Sequence, residues 1–262
     1  MNQKILKPIE HYNFYIKKLY STRPLRNEWR EHGAPVSKIG NCMGTFEAYD
    51  KITDDKDMSY QGFYNYYLQH EKSLDEFNEL TKEIMKVFLG VNLKYRLNEL
   101  YSFENIFDLI ILHTIIDTFA GGMAEKKVKY YLQNKGCEVT KDETIDRTYH
   151  IDFIITNPKT NAISAVQVKP ITFIFGILKN KKDIVLDEFS VFKSFEKFKK
   201  DEKLNPKNVS NLYFIFYKIN DKGQLVFLSY AKNPFFKINS KEDLDSVDWN
   251  KIANDKTKWK TL

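Results

Sequence analysis

Two short apolar segments of this chain carry polar side chains at alternate positions. The first runs from His150 to Thr156 and the second from Ile163 to Lys169. Their β-branched and aromatic residues, with turn-forming residues between them, predict the two strands of a hairpin. Alternation along each strand then places polar side chains on a shared face. These side chains are His150 and Asp152 on the first strand, and Gln167 and Lys169 on the second.

An aspartate within so apolar a strand is costly to bury unless it is paired or binds a metal ion. Asp152 is in that position, and the neighbouring strand brings Gln167 and Lys169 towards the same place. Carboxylate, amide and carbonyl oxygens suit Mg²⁺, and the carbonyl of Val168 is the simplest backbone ligand. The metal polarises a phosphate and acidifies a bound water, while a lysine orients or deprotonates that water. The arrangement therefore predicts phosphodiester hydrolysis.

These residues resemble the PD-(D/E)XK nuclease superfamily, whose core is a helix, three strands, a helix and a further strand. The resemblance equates the strand aspartate of the family with Asp152, its lysine with Lys169 and the glutamate of its first core helix with Glu125. The acid two residues before the lysine is replaced here by Gln167, as in some members of the superfamily. One metal-binding charge is thereby lost, so the resemblance makes Glu125 a needed ligand.

Within the superfamily, the compact length of 262 residues is typical of type II restriction endonucleases. The segments Arg23–Trp29 and Gln167–Phe173 are similar to the group that cuts CTAG. The resemblance implies a Mg²⁺-dependent, sequence-specific endonuclease that acts on double-stranded DNA as a homodimer. Two alternatives stay open. One is another DNA nuclease of the superfamily, acting in repair or directed by methylation; the other is a catalytically inactive DNA-binding protein of the same fold.

Each candidate residue also has a purely structural interpretation. His150 is a candidate to touch phosphate or orient water, and a hydrogen-bonded structural histidine is the alternative. Gln167 is either a metal ligand or a passive interior amide, Lys169 alone is an ordinary strand-end lysine, and Glu125 alone is an exposed helix residue. Two further acids, Glu143 and Asp146, are placed in the loop before the first strand, where they can approach a metal.

The elements that must position these residues predict an α/β (α+β) fold with a mixed central sheet flanked by helices. Residues 1–105 are predicted to be mainly helical and to serve DNA recognition and dimerisation, residues 106–235 to form the nuclease core, and residues 236–262 to be a C-terminal tail. Gly121-Gly122 is predicted to interrupt the helical sequence before the first core helix. The predicted core elements are a helix over Met123–Asn134 capped by Gly136, a strand over Cys137–Thr140, the hairpin, a helix over Asp187–Leu204, and strands over Leu212–Ile219 and Leu225–Ala231.

Basic side chains in two regions are candidates for contact with DNA. Arginine and asparagine read base edges well in the major groove, and lysines on one helix face suit phosphates. A solvated helix face is the alternative for the lysines. The candidates are Arg23, Arg26, Arg30, Lys38 and Asn41 near the N-terminus, and Lys193, Lys197 and Lys200 on the predicted second core helix.

Composition agrees with a polyanion-binding protein without requiring one. The formal net charge is +6, and lysine used for solubility is the alternative explanation. Two cysteines give neither a disulfide framework nor a paired zinc motif. The N-terminus is not an apolar signal, and the apolar run Phe107–Phe119 is shorter than a membrane span and contains ionisable residues. These features predict a soluble cytoplasmic protein without a membrane segment.

Overall fold

The computed structural model describes the chain in separate stretches. They are residues 42–90, 106–107, 110–179, 190–205, 208–209, 211–220, 224–229, 234–238 and 240–262. Contacts divide the chain into two compact units, with the boundary after Gly122. The second unit comprises residues 123–220 and 224–262, so it includes the segment predicted as a tail. No helix in the described stretches combines the length and apolar character that crossing a membrane requires.

The first unit is helical where it is described. Its helices are Met43–Ile52 (α1), Tyr60–His70 (α2) and Leu74–Gly90 (α3), and a π-helical turn spans Leu112–Ile116. Ser59 caps α2 by accepting a hydrogen bond from the Gly62 N–H at 3.1 Å. Ser73 and Glu76 exchange side-chain and backbone hydrogen bonds at the start of α3, and these bonds cap the helix.

A continuous helix, α4 (Asp117–Asn134), replaces the predicted interruption at Gly121-Gly122. Glycine here serves close packing: a Cβ at Gly122 would lie 2.3 Å from the ring of Phe46. The predicted end of the helix is confirmed, because Gly136 has a φ of 80°. The Gly136 N–H donates to the carbonyl of Gln133, and the Cys137 N–H donates to that of Leu132.

Seven strands in the described part of the chain form one mixed sheet. They are Glu138–Thr140 (β1), Phe153–Thr156 (β2), Ile163–Pro170 (β3), Asn211–Ile219 (β4), Leu225–Leu228 (β5), Phe236–Lys237 (β6) and Trp259–Lys260 (β7). Their order is β1-β2-β3-β4-β5-β7, with β6 also paired to β4. β3 and β4 are parallel and the other pairs are antiparallel. The predicted α+β fold and the predicted hairpin, formed by β2 and β3, are confirmed.

Helices join the strands. They are Glu143–Tyr149 (α5), Thr172–Lys179 (α6), Ser190–Lys199 (α7), Lys241–Asp245 (α8) and Trp249–Asn254 (α9). The parallel pairing of β3 and β4 requires a crossover, which contains α6 and α7. Aromatic side chains connect that crossover to the sheet, since the Phe214 ring of β4 lies 5.8 Å from Phe173 and 5.5 Å from Phe192.

Residues 236–262 complete the sheet and its core. β7 pairs with β5, and the side chains of Trp249 and Trp259 are buried. Both indole N–H groups donate to backbone carbonyls, Trp249 to Leu244 and Trp259 to Ala253. Buried tryptophans with satisfied N–H groups fix this segment to the site-bearing unit.

Two predicted boundaries near the site are wrong, and one helix was not predicted. The strand predicted from His150 begins at Phe153, because the preceding residues form α5, which Asp142 caps with two hydrogen bonds. The helix predicted over Asp187–Leu204 spans Ser190–Lys199, while residues 187–189 lie outside the described stretches. Helix α6 was not predicted, because its run of Phe, Ile and Leu follows a proline and lacks a polar face.

Candidate active site

Asp152 lies in the short link between α5 and β2, at the point where β2 begins to pair with β3. Its N–H donates to the Val166 carbonyl at 3.2 Å, and its Oδ2 accepts the Val168 N–H at 2.6 Å. The residue is 5% exposed. A carboxylate that accepts a short backbone hydrogen bond is held in one orientation. The side chain is therefore fixed against β3 at Val168, between Gln167 and Lys169.

Glu125, on α4, places a second carboxylate where the charge of Asp152 acts on it. Its Oε2 accepts a hydrogen bond from the Lys141 Nζ at 3.1 Å, and the two side chains are 15% and 24% exposed. Burial and the negative charge of Asp152 raise the pKa of Glu125 from 4.5 to about 8, while Lys141 opposes that rise. The Glu125 carboxylate therefore lies within the electrostatic range of Asp152.

The pKa of Asp152 is also raised, and burial is the largest cause. The charge of Lys169 and the hydrogen bond from Val168 oppose the rise, and the charges of Lys141 and His150 oppose it less. Buried acids with raised pKa values and specific charged neighbours are typical of functional sites. The structure thus brings Asp152, Glu125 and Lys169 into one electrostatic group, as the sequence predicts.

Gln167 carries a buried amide group in the middle of β3. It is fully buried, and neither its amide oxygen nor its amide nitrogen has a hydrogen-bond partner among the described residues. Its neighbour in the parallel register is Phe214, whose ring packs on the crossover helices, so the amide lies beside an apolar layer. A buried unpaired polar group costs roughly 1 to 3 kcal/mol, which calls for a functional or ligand-based explanation. Its role as a metal ligand stays a prediction.

The donor set fits a hard divalent cation. Asp152 and Glu125 supply carboxylate oxygens with excess negative charge, and the Gln167 amide oxygen lacks a partner. In a strand, the carbonyl of a residue points to the same edge as its N–H, so the Val168 carbonyl faces the edge occupied by Asp152. No group of three or more His, Cys, Asp or Glu side chains suited to a metal occurs in the described stretches. Oxygens from Gln167 and Val168 would complete the set.

His150 does not share a strand face with Asp152. It is the C-cap of α5, in the left-handed conformation with a φ of 56°, and its side chain is exposed. Its N–H donates to the Asp146 carbonyl at 2.8 Å, so its backbone is committed to ending the helix. The positive charge of His150 still acts weakly on Asp152. Its predicted role at the phosphate stays a prediction.

Asp146 reaches the site from a helix and not from a loop. It lies in α5, and its negative charge adds to the rise in the pKa of Glu125. Glu143, at the start of the same helix, forms an exposed ion pair with Arg147 at 3.2 Å. Only one of the two acids predicted to approach the metal therefore acts on the carboxylate pair.

Lys141 is the site residue that the sequence analysis missed. It directly follows β1, and its ammonium group contacts Glu125 while also acting on Asp152. The available signal was its position, one residue beyond the end of an edge strand whose neighbour β2 starts beside Asp152. β1 has only three residues, so the sequence does not show which way the Lys141 side chain points.

The predicted DNA contacts divide into two groups. Lys193, Lys197 and Lys200 are exposed, the first two on α7 and the third directly after it. The N-terminal group, Arg23, Arg26, Arg30, Lys38 and Asn41, lies outside the described residues.

Comparison with known proteins adds no relative: no family model, curated protein or solved structure matches this chain.

Proposed function

We propose that this protein is a Mg²⁺-dependent endonuclease of the PD-(D/E)XK type that hydrolyses double-stranded DNA. The observation that carries the proposal is the buried Asp152 carboxylate, which is anchored to the backbone of Val168 and paired electrostatically with Glu125 and Lys169. The order of elements supports it, because α4 is followed by three strands, a helical crossover and a further strand, which is the order that the resemblance implies.

Each residue has a distinct task in the proposed reaction. Asp152, Glu125, Gln167 and the Val168 carbonyl would hold the metal ion, which when bound polarises the scissile phosphate and acidifies water. Lys169 orients or deprotonates the attacking water and stabilises negative charge developing on the phosphate. The backbone hydrogen bond from Val168 keeps the Asp152 carboxylate in place before substrate arrives.

The substrate assignment rests on charge. The net charge of +6 and the exposed lysines of α7 favour a polyanion, and a phosphodiester is the group that this site suits. Within this proposal the protein is a type II restriction endonuclease that works as a homodimer, so that two copies of the site cut the two strands of a symmetric sequence.

Substitution of the two central residues separates binding from catalysis. Asp152→Asn and Lys169→Met should each lower the rate of DNA cleavage by about 100-fold or more while DNA binding is kept, since each removes a group that acts in the transition state. Cleavage is followed on labelled duplex with Mg²⁺, and binding by gel shift with Ca²⁺.

Matched controls make the same chemical changes at exposed positions. Asp245→Asn and Lys159→Met alter side chains on α8 and in the β2–β3 turn. Both controls should cut at the wild-type rate. Undiminished cleavage in Asp152→Asn or Lys169→Met would show that the active site lies elsewhere.

A further inference from the structure

Lys141 and Glu125 form an ion pair that is shielded from water. Their contact of 3.1 Å joins side chains that are 24% and 15% exposed, whereas the Lys82–Glu79 pair on α3 is 55% and 68% exposed. Shielded charges interact more strongly than surface charges, because less water screens them. The ammonium group therefore has a substantial effect on whatever else binds the Glu125 carboxylate.

The surroundings of this pair are crowded with negative charge. The negative charges of Asp152 and Asp146 raise the pKa of Glu125. The positive charge of Lys141 lowers the pKa of both Glu125 and Asp152. Lys169 approaches Asp152 from β3. Two carboxylates are thus flanked by one lysine from the end of β1 and one from the end of β3.

The two lysines differ in what they contact. Lys169 stands two residues from Gln167 on the same face of β3, where a water-orienting role fits. Lys141 contacts the carboxylate of a proposed metal ligand directly. A divalent cation that takes Glu125 as a ligand must share or displace this ammonium group, since like charges at a few ångströms repel strongly.

We propose that Lys141 is an internal counter-ion of the carboxylate pair: its ammonium group holds Glu125 in the metal-free protein and competes there with the divalent cation. Lys141 thereby sets the metal concentration at which the site fills. Displaced from Glu125, the ammonium group has the charge to contact a phosphate oxygen of the bound substrate. This assignment rests on the proposed function, because it takes Glu125 as a metal ligand.

The test is Mg²⁺ binding to the full chain without DNA, measured by titration calorimetry. Lys141→Met should tighten Mg²⁺ binding roughly tenfold, because a unit positive charge next to the cation is removed. The titration is run at a pH about one unit above the pKa of Glu125, so that the proton is a weak competitor. Lys82→Met breaks an exposed lysine–glutamate pair and should leave Mg²⁺ binding unchanged.

A double variant separates charge competition from altered folding. In the Glu125→Gln background, Lys141→Met should tighten Mg²⁺ binding much less, since no carboxylate remains for the lysine to hold. Thermal unfolding confirms that each variant is folded. Lys141→Gln repeats the test where Lys141→Met is unstable.

The outcomes distinguish this proposal from the proposed function. If Lys141→Met binds Mg²⁺ as weakly as the wild type or more weakly, Lys141 supports the site structurally and the counter-ion role is overturned, while a metal-dependent nuclease still stands. A folded wild-type protein that binds no Mg²⁺, with or without duplex DNA, would overturn both.

Discussion

At the scale of single residues, the main feature of the site is a pair of carboxylates that are shielded from water. Asp152 is buried yet oriented by the Val168 N–H, and Glu125 is buried yet paired with Lys141. Such an arrangement places unfavourable negative charge in the protein, which a bound divalent cation would neutralise under the proposed function. The pKa values of both carboxylates are raised for the same reason, because protonation removes the unfavourable charge.

This stored charge predicts how stability depends on pH. The pKa of Glu125 is about 8 in the folded chain and 4.5 ordinarily, so the folded state binds more protons between these values. Its contribution to the free energy of unfolding therefore falls as pH rises from 4.5 to 8. Urea unfolding of metal-free protein across this interval should show a steeper fall for the wild type than for Glu125→Gln.

The control for this prediction is Glu138→Gln, an exposed position on β1. That variant should follow the wild-type pH dependence. Parallel curves for the wild type and Glu125→Gln would mean that the glutamate is not held beside Asp152 in the absence of metal.

At the scale of elements, the site residues are positioned mainly by the places where helices and strands end. Helix α4 carries Glu125 and ends at Gly136, from which the chain enters β1 and then Lys141. The left-handed conformation of Gly136 sets that change of direction, and a side chain there is strained. Helix α6 provides a contrast, because Gly176 lies exposed in its interior with no described atom within 4 Å of an added Cβ.

The same substitution should thus have opposite effects at the two glycines. Gly136→Ala should destabilise the protein by about 1 kcal/mol because of its positive φ. Gly176→Ala should stabilise it by roughly 0.5 to 1 kcal/mol through helix propensity. Urea unfolding midpoints measure both. Equal shifts of the same sign would contradict the assigned backbone conformations.

The hairpin of β2 and β3 was predictable because alternating apolar residues and a polar turn identify it locally. The start of β2 was not, since α5 depends on a cap at Asp142 and on the packing of Tyr149 near Phe198, whose rings lie 5.3 Å apart. Helix α6 escaped prediction because its apolar residues have the composition of a strand. Asp152 and Lys169 were therefore assigned from spacing, whereas Lys141 required the three-dimensional structure.

At the scale of the whole molecule, the site belongs to one unit. The sheet, its flanking helices and the closing segment with Trp249 and Trp259 all lie in the unit that holds Asp152 and Glu125. All the residues proposed for the site that the structure describes therefore lie in this unit. The sequence predicts that the helical region recognises the DNA bases and that the sheet unit catalyses hydrolysis. This assignment stays a prediction.

The central claim is that this sheet unit hydrolyses DNA with a divalent metal. The most direct measurement is incubation of purified full-length protein with long duplex DNA of mixed sequence, with Mg²⁺ or with a chelator. We expect discrete fragments with Mg²⁺ and intact DNA with the chelator. A continuous smear would support a nuclease without sequence specificity, and DNA that stays bound but intact in Mg²⁺ would contradict the claim.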